Sequence, residues 1–480
     1  MNVKTTAKLL LALTLGSVAS AQSAIPNFGN VTVTVAGDAG QNLLSFEKYA
    51  DIFKKAGITI KTVGIPFTSV YEKEKAEFVA GTGAYDLVIF YPSYIGDFAG
   101  NDYLEPLDAY TTKQPAATYD PKLSDVIKAY RELYLKWDNK LYALPYDGDV
   151  HVMYYRKDLF SNPAEKAAYK AKYGKELAPP TTWTEWNQIA TFFNRKAGQK
   201  LAGQILKSDF HGVAEYGQRG FSYAWFLDRF GSAGGLYFDK DMKPQINSPA
   251  GIRSLESMIT SVKASPKDVL GYGYEELKNA FLNGQVAMVV QWADVGKKAQ
   301  DTQLSKVVGK VGFGLVPGTL VGGKVVHRSA TPVGRVMAIP KDAKNKDAAY
   351  WVAKVLSADK GTETVASTWS GEDPYRVSQF ASTKPYSMFK NSSDASAYLK
   401  AVRANLEVAY PEINIPGAAQ YIDALDLNVN KALAGQVSAK AALDATAKAW
   451  DDITDQLGRD NQKKFWASAL TTYRNVGLLK

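Results

Sequence analysis

The stretch from Val31 to Tyr91 constrains the fold more than any other part of the chain. Val31-Thr-Val-Thr-Val-Ala-Gly37 alternates and is rich in β-branched residues, which predicts a strand. Leu43 to Ala56 has helical periodicity and meets a stop at Gly57; Ile58 to Ile65 predicts a second strand. Ser69 to Ala80 predicts a second helix, closed by Gly81. Asp86-Leu-Val-Ile-Phe-Tyr91 is continuously apolar, as a strand is when a parallel sheet buries both of its faces. Strands alternating with helices specify the α/β class with right-handed crossovers. At 480 residues the chain is too long for one ordinary domain, so two are expected.

The pattern restarts further on. Trp137-Asp-Asn-Lys140 predicts a tight turn, because Asp and Asn tolerate left-handed φ. Val152 to Tyr155 predicts a strand, and Thr182 with Glu185 forms a capping box that opens a helix through Lys196. Ser248-Pro249 opens another helix, with Pro at its first position. Tyr274 to Leu282 predicts a short helix and Gln285 to Gln291 a buried strand. Val311 to Val316 and Gly334 to Ile339 predict two further strands around a Gly-rich polar stretch. From Gly417 onward the chain reads as helical, with breaks at Gly435 and Gly458.

Residues 1–21 combine Lys4 and Lys8, an apolar run from Leu9 to Val18, and a small-x-small site at Ala19-Ser20-Ala21. This predicts a cleavable export signal with cleavage after Ala21, since the run is too short to span a bilayer. The chain contains no Cys, so neither lipid anchoring through Cys nor disulfides are available to it. A periplasmic or secreted protein that is not membrane-anchored is the expectation. The net charge of +9 is spread among acids without a compact basic run, which argues against nucleic acid as a partner. The 28 Tyr and 9 Trp exceed what a core needs, because buried OH and NH groups require partners.

Enzyme signatures are scarce. There is no His-Glu-x-x-His, no Gly-x-Ser-x-Gly elbow and no Walker loop, and the three His at 151, 211 and 327 lack metal-ligand spacing. Gly309, Gly312 and Gly314 sit at a strand start and fail the dinucleotide fingerprint. Asp239-Lys-Asp241 and Asp147-Gly-Asp149 lack the full ligand ladder of a calcium loop. No cofactor, metal or catalytic residue is expected. The alternative is a secreted carbohydrate-active enzyme with Asp147 and Asp149 as its acid/base pair, although adjacent strand residues do not readily give two different environments.

Several fragments occur in a recognisable order: Tyr85 to Tyr91, Lys140 to Asp149, Met153 to Phe160, Pro180 to Trp186, Phe281 to Met288, Pro340 to Ala349, and Ile415-Pro416 before the helical tail. Together they make the chain similar to the family 1 extracellular solute-binding proteins, which include maltose-binding-protein-like sugar receptors of bacterial ABC importers. The resemblance implies a two-lobed periplasmic-binding-protein fold (type II-like) with a multi-segment hinge and a C-terminal helical tail. Lobe one would be residues 27–147 and 317–371, and lobe two residues 148–316 and 372–480. It implies a monomer without enzymatic activity that captures a sugar (mono-, di- or oligosaccharide, or polyol) between the lobes and delivers it to permease subunits.

By position, the resemblance places Tyr91, Ser93 and Tyr94 in the first-lobe ligand loop. It aligns Asp149 with an acidic sugar ligand, flanked by Asp147 and Tyr146. Trp292 and Asp294 fall where a stacking aromatic is expected, and Tyr421 near a C-terminal aromatic contact whose neighbouring position here holds Ile422. Arg376, near the third crossing, would donate to hydroxyls or brace the hinge. Gln41 and Asn42 follow the first strand as polar contacts. Tyr223 and Trp225 are candidates in an aromatic-rich segment that also reads as core. A sugar presents a C–H face that stacks on rings and hydroxyls that bond to charged groups at about 1.5–3 kcal/mol each.

Overall fold

A computed structural model describes residues 25–330 and 334–479; the predicted export signal lies outside them. Nine strands build two sheets: β1 (Val31–Asp38), β2 (Ile58–Ile65), β3 (Leu87–Phe90), β4 (Ala143–Asp147), β5 (His151–Arg156), β6 (His211–Val213), β7 (Val286–Trp292), β8 (Val311–Gly314) and β9 (Arg335–Ala338). The first sheet runs β2-β1-β3-β9-β4 and the second β6-β7-β5-β8. β1 pairs in parallel with β2 over its whole length, from Val31 opposite Ile58 to Asp38 opposite Ile65. β9 is antiparallel to both β3 and β4. Helices cover the sheets, so β3 and β7 are buried at every residue, as their unbroken apolar runs require.

The helix signals hold with local changes. The capping box forms: the Glu185 N–H donates to Thr182 Oγ1 (3.2 Å), and the Glu185 carboxylate accepts from the Thr182 N–H (3.2 Å). Asp138 and Asn139 take the left-handed φ that the tight turn demands. The helix expected over Leu43–Ala56 is interrupted at Tyr49, whose hydroxyl pairs with Thr364 Oγ1 (3.1 Å); a tertiary contact outweighs local periodicity there. The tail forms three helices, Ala418–Leu433, Ala439–Gln456 and Arg459–Asn475, with Gly435 and Gly458 in the breaks. Among the described residues no helix is long and apolar enough to cross a membrane.

Three segments pass between the two sheets. Gly148–Val150 links β4 to β5, a hairpin-bearing stretch links β8 to β9, and the Gly371–Tyr375 segment lies against the first link. The Gly148 N–H donates to Asp373 O (3.0 Å) and the Asp373 N–H to Asp147 Oδ1 (2.7 Å), which pins two crossings side by side. Close approach makes glycine obligatory at 148, since an added Cβ would lie 2.3 Å from Pro374 O. Replacing Gly148 with Ala is therefore expected to lower unfolding free energy by about 1–3 kcal/mol, read by urea denaturation. An unchanged midpoint would mean that the crossings can separate without cost.

Candidate ligand cleft at the strand crossings

Where the crossings meet, the C-terminal ends of β1 and β4 and the start of β9 bring charged side chains together. Arg335, opening β9, donates from Nη2 to Asp38 Oδ2 (3.0 Å) and from Nη1 to both Asp147 Oδ2 and Asp149 Oδ2 (3.0 Å each). All four residues are buried. An arginine fork suits this task because its donors are planar and fixed in direction. The Arg335 guanidinium also lies 5.4 Å from the centre of the Tyr91 ring, within cation–π range.

The second sheet contributes the facing wall. Trp292 ends β7, and a short helix, Asp294–Lys298, starts directly after it. The Asp294 carboxylate accepts from Tyr274 Oη and Lys298 Nζ, and Lys298 Nζ also reaches Tyr274 Oη (2.8 Å). Lys298 Nζ then donates across to Gln41 Oε1 (2.7 Å), joining the loop after β1 to the second sheet. A cavity of about 520 Å³ lies between these walls, lined by Asp38, Gln41, Asn42, Asp149, Trp292 and Asp294 among others, with Tyr216, Tyr274 and Phe67 as aromatic walls. Asn42 Oδ1, Asp294 Oδ1 and Trp292 Nε1 are buried without a protein partner. Buried polar atoms of this kind are costly unless something bonds to them.

Of the residues expected at the site, Gln41, Asn42, Asp149, Trp292 and Asp294 line this cavity. Asp147 and Tyr146 stand just behind it: Asp147 is held by Arg335 and the third crossing, and Tyr146 donates to Asn42 O (2.7 Å). Trp225 backs the Trp292 ring at 5.2 Å and donates to Val290 O (2.8 Å), so it supports the wall from the core. Tyr91, Tyr94 and Tyr223 line a second cavity of about 780 Å³, and Ser93 is buried nearby. Arg376 sits in neither; its guanidinium is spent on Ser357, Lys122 and Pro121 oxygens, so it braces a crossing against the first sheet's body. Tyr421 also falls outside both, with its hydroxyl on Thr454 Oγ1 (2.9 Å) and its ring against Trp450. Sequence reasoning passed over Asp38, Tyr216, Tyr274, Lys298 and Arg335; a lone charge heading the apolar Val336–Ile339 run was the available signal for Arg335.

The geometry separates Asp147 and Asp149 from a glycosidase pair. Both carboxylates bind the same Arg335 nitrogen, and Asp147 is sealed from the cavity, so they do not flank a bound sugar from opposite sides. Asp147, Asp149 and Asp373 each place an oxygen within 4.8 Å of the others. Arg335 already sits on the first two, and Lys297 Nζ lies 3.7 Å from Asp373. The Asp239-Lys-Asp241 fragment is a turn, in which Asp239 Oδ1 accepts from the Asp241 and Lys243 N–H groups (2.8 and 2.9 Å).

Six buried carboxyls (Asp38, Asp147, Asp149, Asp294, Glu372 and Asp373) surround three buried cations (Lys297, Lys298 and Arg335), so acid is in excess. Burial, reinforced by the neighbouring Asp147 and Asp373 charges, raises Asp149 well above the usual carboxylate range. Burial pushes Asp373 up to about 7, with Lys297 pulling the other way. Glu412, beneath the second cavity, is pushed up to about 8 by burial against the hydrogen bonds from Tyr223 and Ser93. A carboxyl whose pKa is raised on folding adds stability that is complete below its unfolded pKa of about 4 and is lost as pH rises through the folded value. The melting temperature of the empty protein is thus expected to fall between pH 5 and pH 8.5, and to fall less in Glu412→Gln, as read by calorimetry across that range. A flat profile, or an unchanged slope in the variant, would contradict this assignment.

Residues 38–363 match the model of the bacterial extracellular solute-binding protein family. A probable ABC transporter-binding protein of Deinococcus radiodurans is 27% identical over 404 residues, covering 80% of this chain and 86% of its own. A mannitol-binding protein of Pseudomonas aeruginosa is 24% identical over 325 residues, covering 67% of each chain. A solute-binding protein of Agrobacterium radiobacter, solved in complex with ribitol, superposes with a TM-score of 0.71 at 27% identity, over 89% of this chain and 99% of that one. Two α/β lobes joined by crossing segments, a cleft at the crossings, and a family match over well over half its length establish that this chain belongs to the bacterial extracellular solute-binding proteins.

Proposed function

We propose that the protein is an exported receptor that binds a sugar or polyol between its lobes and passes it to the permease of an ABC importer. The observation that carries this reading is the cavity beside Trp292, where carboxylate, amide and indole groups without protein partners border aromatic faces. Acceptors such as Asp294 Oδ1 and Asn42 Oδ1 suit hydroxyl donors, and the Trp292 N–H suits a hydroxyl oxygen. Relatives named for mannitol binding or solved with ribitol support the polyhydroxylated class, and the Deinococcus relative supports the ABC partner. The predicted signal over residues 1–21 supports a periplasmic location, with the mature chain acting as a monomer.

Residues 27–147 with 317–371, and 148–316 with 372–480, form the two lobes in this reading. Asp149, Asp294, Gln41, Asn42 and Trp292 make the polar and stacking contacts, while Asp147, Tyr146 and Trp225 position them. Hinge bending at the crossings encloses the ligand, and the bound molecule leaves unaltered. A thermal-shift screen against sugars, polyols, amino acids and polyamines is the direct test. A sugar or polyol should raise the melting temperature, and Asp149→Asn should weaken its binding by about 10- to 100-fold through loss of a charge-assisted hydrogen bond. Stabilisation by amino acids or polyamines alone, or cleavage of a glycan by the wild-type protein, would overturn the proposal.

A further inference from the structure

The cleft does not end at the first cavity. A second chamber of about 780 Å³ adjoins it, and Phe67 is a wall of both. Its sides come from both lobes: Phe67, Tyr91 and Tyr94 from the first, Phe221, Tyr223 and Ile422 from the second. The two chambers are divided where the Phe67 and Phe221 rings meet, with centroids 4.5 Å apart. Phe67 sits in the short turn Phe67–Ser69 after β2 and is only partly buried, so its ring can swing without disturbing a sheet.

The chambers differ in chemistry. The first holds Asn42 Oδ1, Asp294 Oδ1 and Trp292 Nε1 without protein partners. In the second, the tyrosine hydroxyls at 91 and 223 are already engaged, with Phe67 O and the Glu412 carboxylate respectively. Arg219 at its edge is likewise taken by Asp423 (2.7 Å) and Asp426. Thr68, Glu72 and Gln420 also line it, but most of what the second chamber offers is ring faces. Such a surface stacks on the C–H face of a sugar but reads few of its hydroxyls.

We propose that the second chamber is a stacking subsite and that the ligand is an oligosaccharide, with one terminal unit hydrogen-bonded beside Trp292 and the following units laid between Tyr94 and Phe221. Entry of the second unit displaces the Phe67–Phe221 contact and replaces it with sugar–ring contacts, so little aromatic packing is forfeited. Recognition is then strict at one end of the chain and tolerant of length at the other. This inference rests on the sugar reading above and goes beyond it by fixing the size class of the ligand.

The test is titration calorimetry with soluble α-glucan, β-glucan, mannan, galactan and fructan series of one to five units, with ribitol and mannitol alongside. In the series that binds, affinity should rise about tenfold or more from one unit to three. Phe221→Leu and Tyr94→Ala should each flatten that rise, and Tyr94→Phe should preserve it; Tyr94 lies at the partly buried rim, which guards against a folding defect in the Phe221 variant. If polyols or single units bind as tightly as longer chains, the stacking subsite is refuted while the receptor reading stands. If no sugar or polyol of any length binds, the sugar reading fails and this inference with it.

Discussion

The structure depends on one guanidinium. Arg335 draws Asp38 from the end of β1, Asp147 from the end of β4 and Asp149 from the first crossing onto a single planar group. Each of these carboxylates would be expensive to bury alone, and a lone buried arginine more so. Their mutual presence makes each tolerable, and it draws three separate backbone segments to one point. That point is the floor of the cleft. The same cation thus holds the crossings together and orients Asp149 at the cavity wall.

One cation does not neutralise three acids, and the shortfall has consequences. Lys297 approaches Asp373 from the second lobe and donates to Val365 O and Glu372 O (2.9 and 2.7 Å), tying the third crossing to the base of the Asp294–Lys298 helix. Burial, with the Asp147 and Asp373 charges beside it, raises Asp149 well above the usual carboxylate range, and burial raises Asp373 to about 7 against the pull of Lys297. Lys298, on the facing wall, reaches Gln41 on the loop after β1 through a long side chain.

Much of this architecture was legible in the sequence because it follows from local rules. Alternating β-branched residues marked β1, unbroken apolar runs marked β3 and β7, and Thr182 with Glu185 marked a helix start. Asp149 and Trp292 were singled out by the family resemblance, and both line the cavity. Arg335 was not, since its partners lie 186, 188 and 297 residues away and its own strand reads as core. The resemblance offered Tyr421 as an aromatic contact and Arg376 as either a hydroxyl donor or a hinge brace, and Arg376 takes the second part. Their polar atoms are instead consumed by Ser357, Lys122 and Thr454, contacts that sequence spacing cannot encode. The division of the cleft at Phe67 and Phe221 was invisible for the same reason: it is one contact between loops of different lobes.

The placement of the unpartnered atoms ties occupancy to closure. Trp292 Nε1 and Asp294 Oδ1 belong to one lobe and Asn42 Oδ1 to the other, and all three are buried where the lobes approach. Bringing the lobes together over an apolar solute would strand these groups, at about 1–3 kcal/mol for each left unsatisfied. A molecule bearing hydroxyls at matching positions removes that penalty on both walls at once, and the aromatic faces of Trp292, Tyr274 and Tyr216 contribute stacking that water does not replace. In the proposed reading, closure is therefore favoured by the same groups that contact the ligand. In that reading the loaded and empty states differ in shape, which is what a partner would recognise.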